Sequence, residues 1–167
     1  MLLGTFVHDR NLDLTARTVQ RTAVRGVLFR GDEVLLLASR HGDYKFPGGG
    51  VERGESMPAA LIREFEEECG LTGVEVGLAL GTTVEYLRAA EPEYEVFKMI
   101  SHYFYCSGTG DFGSQALEGY ESELELEPRW VTVADALQAN QSVQAAGVGV
   151  MRWLVRETQV LSHLADL

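Results

Sequence analysis

Residues 49–71 read Gly49-Gly50-Val51-Glu52-Arg53-Gly54-Glu55-Ser56-Met57-Pro58-Ala59-Ala60-Leu61-Ile62-Arg63-Glu64-Phe65-Glu66-Glu67-Glu68-Cys69-Gly70-Leu71. The stretch crowds carboxylates onto one short helix directly after a glycine loop. Ser56 is a good N-cap, and Pro58 falls in the first turn, where its missing N–H costs little. Gly70 is placed to close the helix in a left-handed conformation. The spacing predicts a helix over Met57–Cys69. At about 100° per residue, Glu64, Glu67 and Glu68 fall within an arc of roughly 100°. Leu61, Phe65 and Cys69 make the adjacent apolar stripe. One stripe buries against a core while its neighbour presents three carboxylates; Glu66 points elsewhere.

Like charges three and four residues apart repel on a helix, so this cluster requires a cation. Hard oxygen ligands suit Mg²⁺ or Mn²⁺ and not zinc. Mg²⁺ is normally held by one or two carboxylates, with waters and substrate phosphates completing its shell. The glycines of Phe46-Pro47-Gly48-Gly49-Gly50 let backbone groups approach a ligand or ion closely. Together these features suggest a metal-assisted phosphate site. A solvated acidic helix would account for the glutamates taken alone, and the pattern around them decides against it.

The segment resembles the Nudix box, G-x5-E-x7-R-E-U-x-E-E-x-G-U, where U is a bulky aliphatic residue. Gly49, Glu55, Arg63, Glu64, Glu67, Glu68 and Gly70 take the fixed positions, and Leu71 takes the last U. Phe65 is the one departure, aromatic where aliphatic is usual. Flanks extend the resemblance over most of Arg21–Leu137, with Val27–Arg40 before the box and Trp130-Val131-Thr132 and a following helix after it.

The resemblance implies an α/β fold, an α/β/α sandwich around a mixed β-sheet. It implies a Mg²⁺-dependent pyrophosphohydrolase, with Mn²⁺ as the alternative ion. Its substrate would be a nucleoside diphosphate linked to another moiety: an NTP or modified NTP, a sugar nucleotide or a dinucleotide. The product would be a nucleoside monophosphate. By the same resemblance Glu64, Glu67 and Glu68 are metal ligands, the Gly49 carbonyl is a backbone ligand, and Arg63 pairs with Glu55 to hold the loop against the helix. The box does not name the substrate.

Hydrolysis also needs a base. In Nudix proteins it is a box glutamate, here Glu67 or Glu68, or a glutamate on a loop after the box. The run Glu121-Ser122-Glu123-Leu124-Glu125-Leu126-Glu127 lies just before Trp130, where such a glutamate is often placed. Alternation puts its glutamates on one face of an extended segment, and Glu125 and Glu123 are the first choices. Glu68→Gln is expected to cut turnover by orders of magnitude and leave the fold intact. Substrate phosphates need further cations, for which Arg25, Arg40, Lys45 and Lys98 are candidates. A base needs a stacking surface, for which Tyr44, Phe46, Tyr86 and Tyr103 are available. Tyr86 sits downstream of the box, where dinucleoside polyphosphate hydrolases tend to carry a tyrosine.

The 167 residues suit one domain over 1–167, with 46% apolar and 23% charged residues. A net charge of −11 argues against a nucleic-acid partner. It is compatible with a small nucleotide-type substrate, because bound metals reverse the local field. Neither a bilayer-spanning run nor a polybasic membrane patch is present. Met1–Phe6 lacks the basic start of a signal peptide, and Cys69 and Cys106 show neither disulfide nor zinc spacing. A reducing cytoplasm is the expectation.

Elsewhere, Thr22–Phe29 and Val34–Ala38 read as a hairpin about Arg30-Gly31-Asp32, and Tyr44–Phe46 as a short strand. Val74–Leu80, Thr82–Tyr86 and Phe97–Cys106 are strands, with a break at Gly81. Gly108–Gly119 reads as a mobile loop, Trp130–Val133 as a strand and Ala134–Gln138 as a short helix. Phe6-Val7 is an edge strand and His8 a surface residue. Val143–Leu164 carries apolar residues at helical spacing, a C-terminal packing helix or the face of a homodimer. Two alternatives share the fold. A non-catalytic nucleotide-binding module predicts eroded box glutamates, and none is eroded. An isoprenoid diphosphate isomerase wants a catalytic cysteine, for which Cys106 alone is available.

Overall fold

The computed structural model describes residues 1–109 and 111–167. In chain order its elements are β1 (Leu2–Val7), β2 (Thr18–Arg30), β3 (Glu33–Ala38), β4 (Tyr44–Lys45), α1 (Met57–Cys69) and β5 (Glu75–Arg88). There follow β6 (Val96–Ser107), α2 (Tyr120–Glu123), β7 (Glu127–Thr132), α3 (Val133–Ala146) and α4 (Trp153–Ala165). No helix of the described residues is long and apolar enough to cross a membrane.

The hairpin about Gly31 joins β2 to β3 antiparallel, pairing Phe29 with Val34. β2 runs parallel to β6 from Thr18↔Val96 to Leu28↔Cys106, β6 is antiparallel to β5, and β1 closes the edge parallel to β5. The order is β1-β5-β6-β2-β3-β4, with β7 antiparallel on β3. The sheet is therefore mixed. Successive residues of β2 face opposite layers. Val24 and Leu28 join Leu61, Phe65 and Cys69 of α1 in one core. Val27 joins Val160, Leu161 and Leu164 of α4 in the other, with Phe46 and Tyr103. This is the α/β/α arrangement.

Helix α1 forms for local reasons. The Ser56 side chain accepts from the Ala59 N–H at 3.3 Å. Gly70 adopts φ 62°, and the Leu71 N–H bonds back to the Phe65 carbonyl at 3.1 Å. Leu61, Phe65 and Cys69 are fully buried; burying a Leu or Phe contributes roughly 1.5–3 kcal/mol each. A side chain at position 70 would also meet Gly113, whose N–H donates to the Gly70 carbonyl at 3.1 Å.

Several expectations need correction. Gly81 does not break the strand: β5 runs through it and absorbs the irregularity as register shifts between Val76 and Gly81. The C-terminal apolar pattern is two helices, because Gly147 caps α3 at φ 69° and the chain turns before α4. Helix α4 directs Leu154, Val160, Leu161 and Leu164 inward, into its own chain. His8 is not a free surface group; its Nε2 lies 3.0 Å from Glu85 Oε1. The loop after β6 is tied to α1, with Gln115 Nε2 donating to the carbonyls of Glu68 at 2.6 Å and Leu126 at 2.8 Å. Gly110, within that loop, lies outside the described residues. The acidic run is not extended from Glu121: Tyr120–Glu123 is a helical turn, and Glu125 takes φ 53°.

Candidate functional site

The glycine loop between β4 and α1 is laid along β2. The Val24 N–H donates to the Gly49 carbonyl, the Gly26 N–H to that of Pro47 and the Val51 N–H to that of Thr22, each at 2.9 Å. One lone pair of the Gly49 oxygen is thus committed to β2 and one remains. The Gly48 carbonyl accepts from Arg25 Nη1. A Cβ on Gly49 would lie 2.3 Å from Glu64 Oε1. The missing side chain is what lets that carboxylate stand against the loop.

Glu64 and Glu68 of α1 meet Glu121 of α2, with one carboxylate oxygen of each lying within 4.8 Å of the others. Glu64 is 7% exposed and Glu68 fully buried. Arg63 grips the surroundings. It bonds both oxygens of Glu55 at 2.9 and 3.1 Å, Glu64 at 2.9 Å, Glu67 at 3.0 Å and the Gly50 carbonyl at 3.1 Å. Lys45, buried at 2% exposure, donates to Glu68 Oε1 at 2.8 Å, and its Nζ is 3.9 Å from Glu121. The Gly48 N–H donates to Glu68 Oε2 at 2.7 Å.

Five carboxylates therefore share two cations, Arg63 and Lys45. The surplus is negative and the donor set is all oxygen. Oxygens on neighbouring corners of a Mg²⁺ octahedron lie about 3 Å apart and on opposite corners about 4.2 Å. With its three oxygens inside 4.8 Å of one another, the cluster fits a hard divalent cation once the side chains draw in. Each Glu68 oxygen keeps a second lone pair for an ion.

Burial pushes the Glu68 carboxyl up to about 7, with Lys45 and the Gly48 N–H working against the rise. Burial also raises Glu64, with Arg63 opposing. An ion must displace a proton wherever Glu68 is protonated, so its affinity falls as pH drops through that range. Mg²⁺ is expected to bind about tenfold more weakly at about pH 6 than at about pH 8. Calorimetry in two buffers of different ionisation heat checks both the affinity and the released proton. A flat affinity across that range rejects a titrating ligand.

A cavity of about 520 Å³ opens over the cluster, lined by Arg21, Gly50, Arg63, Glu64, Glu67 and Glu121 among others. A second, of about 240 Å³, lies beyond Lys45 and is lined by Arg25, Lys45, Phe97, Met99, Tyr120 and Trp153 among others. Tyr120 borders both.

The residues singled out from the sequence divide among these places. Glu64, Glu67 and Arg63 line the first cavity, Glu55 is held by Arg63, and Glu68 lies buried beside Lys45. Arg25 and Lys45 line the second cavity. Arg40 is exposed and lines neither. Tyr86 and Lys98 pair across β5 and β6, the ammonium 5.8 Å from the ring centre. Their neighbours Leu87 and Phe97 line the second cavity, so Tyr86 and Lys98 point to the other face of the sheet. Glu123 and Glu125 are exposed and outside the cluster.

Glu121, which alternation puts on one face with Glu123, Glu125 and Glu127, is the member of that run that meets Glu64 and Glu68. Leu124 and Leu126 are buried, and that apolar pair could have shown Glu123, Glu125 and Glu127 facing solvent. Arg21, Tyr120, Arg152, Trp153 and Arg156 were also missed. The last three lie at the start of α4, which apolar periodicity alone fuses to α3.

Comparison with known proteins gives the family and the fold. The family model described as NUDIX domain matches residues 19–154. Nudix hydrolase 12, mitochondrial, of Arabidopsis thaliana is 32% identical over 108 residues, covering 64% of this chain and 51% of that protein. An RNA pyrophosphohydrolase of Caulobacter vibrioides is 34% identical over 113 residues, covering 64% and 63%. The alignments thus span between half and two thirds of these relatives. Among solved structures, a NUDIX hydrolase from Nitrosomonas europaea superposes with TM-score 0.59 at 17% identity, over 89% of this chain and 90% of that one. The MutT protein from Methanosarcina mazei Go1 gives TM-score 0.55 at 20% identity, over 89% and 96%. With its box glutamates gathered beside a glycine loop and most of its length matched, the chain belongs to the NUDIX domain family.

Proposed function

We propose that the chain is a Mg²⁺-dependent pyrophosphohydrolase. It hydrolyses a small nucleoside diphosphate linked to another moiety and releases a nucleoside monophosphate. One observation carries the reading: Glu64, Glu68 and Glu121 converge within 4.8 Å, two of them buried, beside an open cavity. The names of the relatives, Nudix hydrolase and RNA pyrophosphohydrolase, support pyrophosphate chemistry. Net charge of −11 supports a small substrate over a polynucleotide.

Glu64, Glu68 and Glu121 would hold the ion, with the free lone pair of the Gly49 carbonyl available to it. The ion, when bound, neutralises phosphate charge and lowers the pKa of water. Arg63 fixes the directions of Glu64 and Glu67 through its fork of donors. Glu67, half-exposed at the cavity wall, would accept a proton from an attacking water. Arg21 offers phosphate a charge at the rim. Positioning and neutralisation dominate such reactions, so little further chemistry is asked of the protein.

The test is product analysis across NTPs, sugar nucleotides, ADP-ribose, NADH and diadenosine polyphosphates with Mg²⁺ and with Mn²⁺. Metal-dependent release of a nucleoside monophosphate is the expected result. Tight binding without turnover on the whole panel rejects the enzyme in favour of the non-catalytic module.

A further inference from the structure

The second cavity has a one-sided hydrogen-bonding inventory. Arg25, Lys45, Arg152, Arg156 and Trp153 line it, and all five side chains donate without accepting. Its side-chain acceptors are Glu85 and Tyr120. Glu85 already holds His8 through Oε1 and Arg156 through Oε2. The Tyr120 hydroxyl accepts from Lys45 at 3.3 Å, which leaves its own O–H to donate.

Two donors are unanswered. Arg25 Nε and Trp153 Nε1 are buried without a hydrogen-bond partner among the described residues. Arg25 is 7% exposed, and no carboxylate pairs with it among those residues. Buried donors left unpaired are costly, and a buried cation more so. Both unanswered donors belong to side chains of the cavity wall, where a ligand's acceptor oxygens would answer unpaired donors. The remaining lining is apolar: Leu87, Phe97 and Met99 from one sheet face, with the Trp153 indole. The volume, about 240 Å³, falls below the roughly 300–1,000 Å³ of pockets for drug-sized ligands. It suits one ring system and not a whole nucleotide. Lys45 and Tyr120 connect it to the carboxylate cluster.

We propose that this cavity takes the base of the nucleotide substrate and selects bases that present carbonyl oxygens: uracil or hypoxanthine over cytosine or adenine. Cytosine and adenine carry an amino donor where their partners carry an oxygen, so donor faces donor. The inference rests on the hydrolase reading for its substrate class, and its test does not require turnover.

Calorimetry without metal compares UMP with CMP and IMP with AMP, and ribose 5-phosphate reports the phosphate alone. The keto member of each pair is expected to bind about tenfold tighter or more, with ribose 5-phosphate weaker than UMP. Trp153→Phe keeps a ring but deletes the N–H, and Arg25→Lys keeps the charge but deletes Nε; at least one narrows the UMP/CMP ratio towards one. Equal affinities within both pairs, ribose 5-phosphate binding as tightly as UMP, no binding by any probe, or a ratio untouched by both substitutions overturns the assignment. A keto preference without hydrolysis defeats only the hydrolase reading. Hydrolysis blind to the base defeats only this one.

Discussion

Glu68→Gln is expected to lower pyrophosphohydrolase turnover on the order of 10²–10³-fold or more, taking the loss of one preorganised charged group as the guide. The fold is expected to survive. Glutamine keeps the shape and an acceptor for Lys45, which is 2% exposed and bonded to Glu68 at 2.8 Å. Because burial pushes Glu68 up to about 7, the folded chain prefers the neutral side chain to the charged one, and the amide is not expected to cost stability. The charge it removes is the one a bound ion uses, so the full loss of turnover shows above that pH, where the carboxylate is ionised. Thermal melts and nucleoside monophosphate release measure the two effects separately. Near-normal turnover in Glu68→Gln rejects the metal assignment, and a melting temperature lower by about 10 °C or more rejects the account of Glu68 as a carboxylate held against burial.

Glu157→Ala is expected to be among the most destabilising single substitutions. The fully buried Glu157 accepts from Arg156 Nε at 3.0 Å through Oε1 and from the Phe46 N–H at 3.0 Å through Oε2. Arg156 itself is 3% exposed and also bonded to Glu85. Alanine leaves a buried guanidinium half-compensated and a buried N–H unpaired. The expected loss is about 3–5 kcal/mol. At about 2–4 °C per kcal/mol for a chain of this size, the melting temperature falls by roughly 6–20 °C. Phe46 precedes Pro47-Gly48-Gly49, so the anchor that fails is that of the glycine loop, and turnover falls with stability. Glu157→Gln keeps an acceptor for Phe46 and should lie between. Urea melts decide the matter; a loss under about 1 kcal/mol for alanine would show that the network relaxes freely.

The parts of this protein that its sequence announces are those set by local rules. Ser56, Pro58 and Gly70 bracket α1, and its 3.6-residue period separates Phe65 from Glu64 and Glu68 without reference to anything distant. The parts it conceals depend on where one residue lies relative to a distant partner. Glu121 enters the site because Gly119 takes φ 51° and a single helical turn follows. Nothing in an alternating Glu-Leu run signals that turn. Tyr86 and Lys98 were one step out of phase with the cavity, since Leu87 and Phe97 face it. The buried charges Lys45, Arg156 and Glu157 gave no sign of burial, because Lys45 meets Glu68 23 positions away, Arg156 meets Glu85 71 away and Glu157 meets Phe46 111 away.

The strand pairings carry a kinetic consequence. Residues near 2–7 must find those near 82–86, and Thr18–Leu28 must find Val96–Cys106, before the sheet is continuous. Such long loops lose entropy before their contacts reward it, which places assembly in the millisecond-to-second regime. Glu121 meets Glu64 and Glu68 only across the assembled chain, so an ion bound there would favour the native state over the unfolded one.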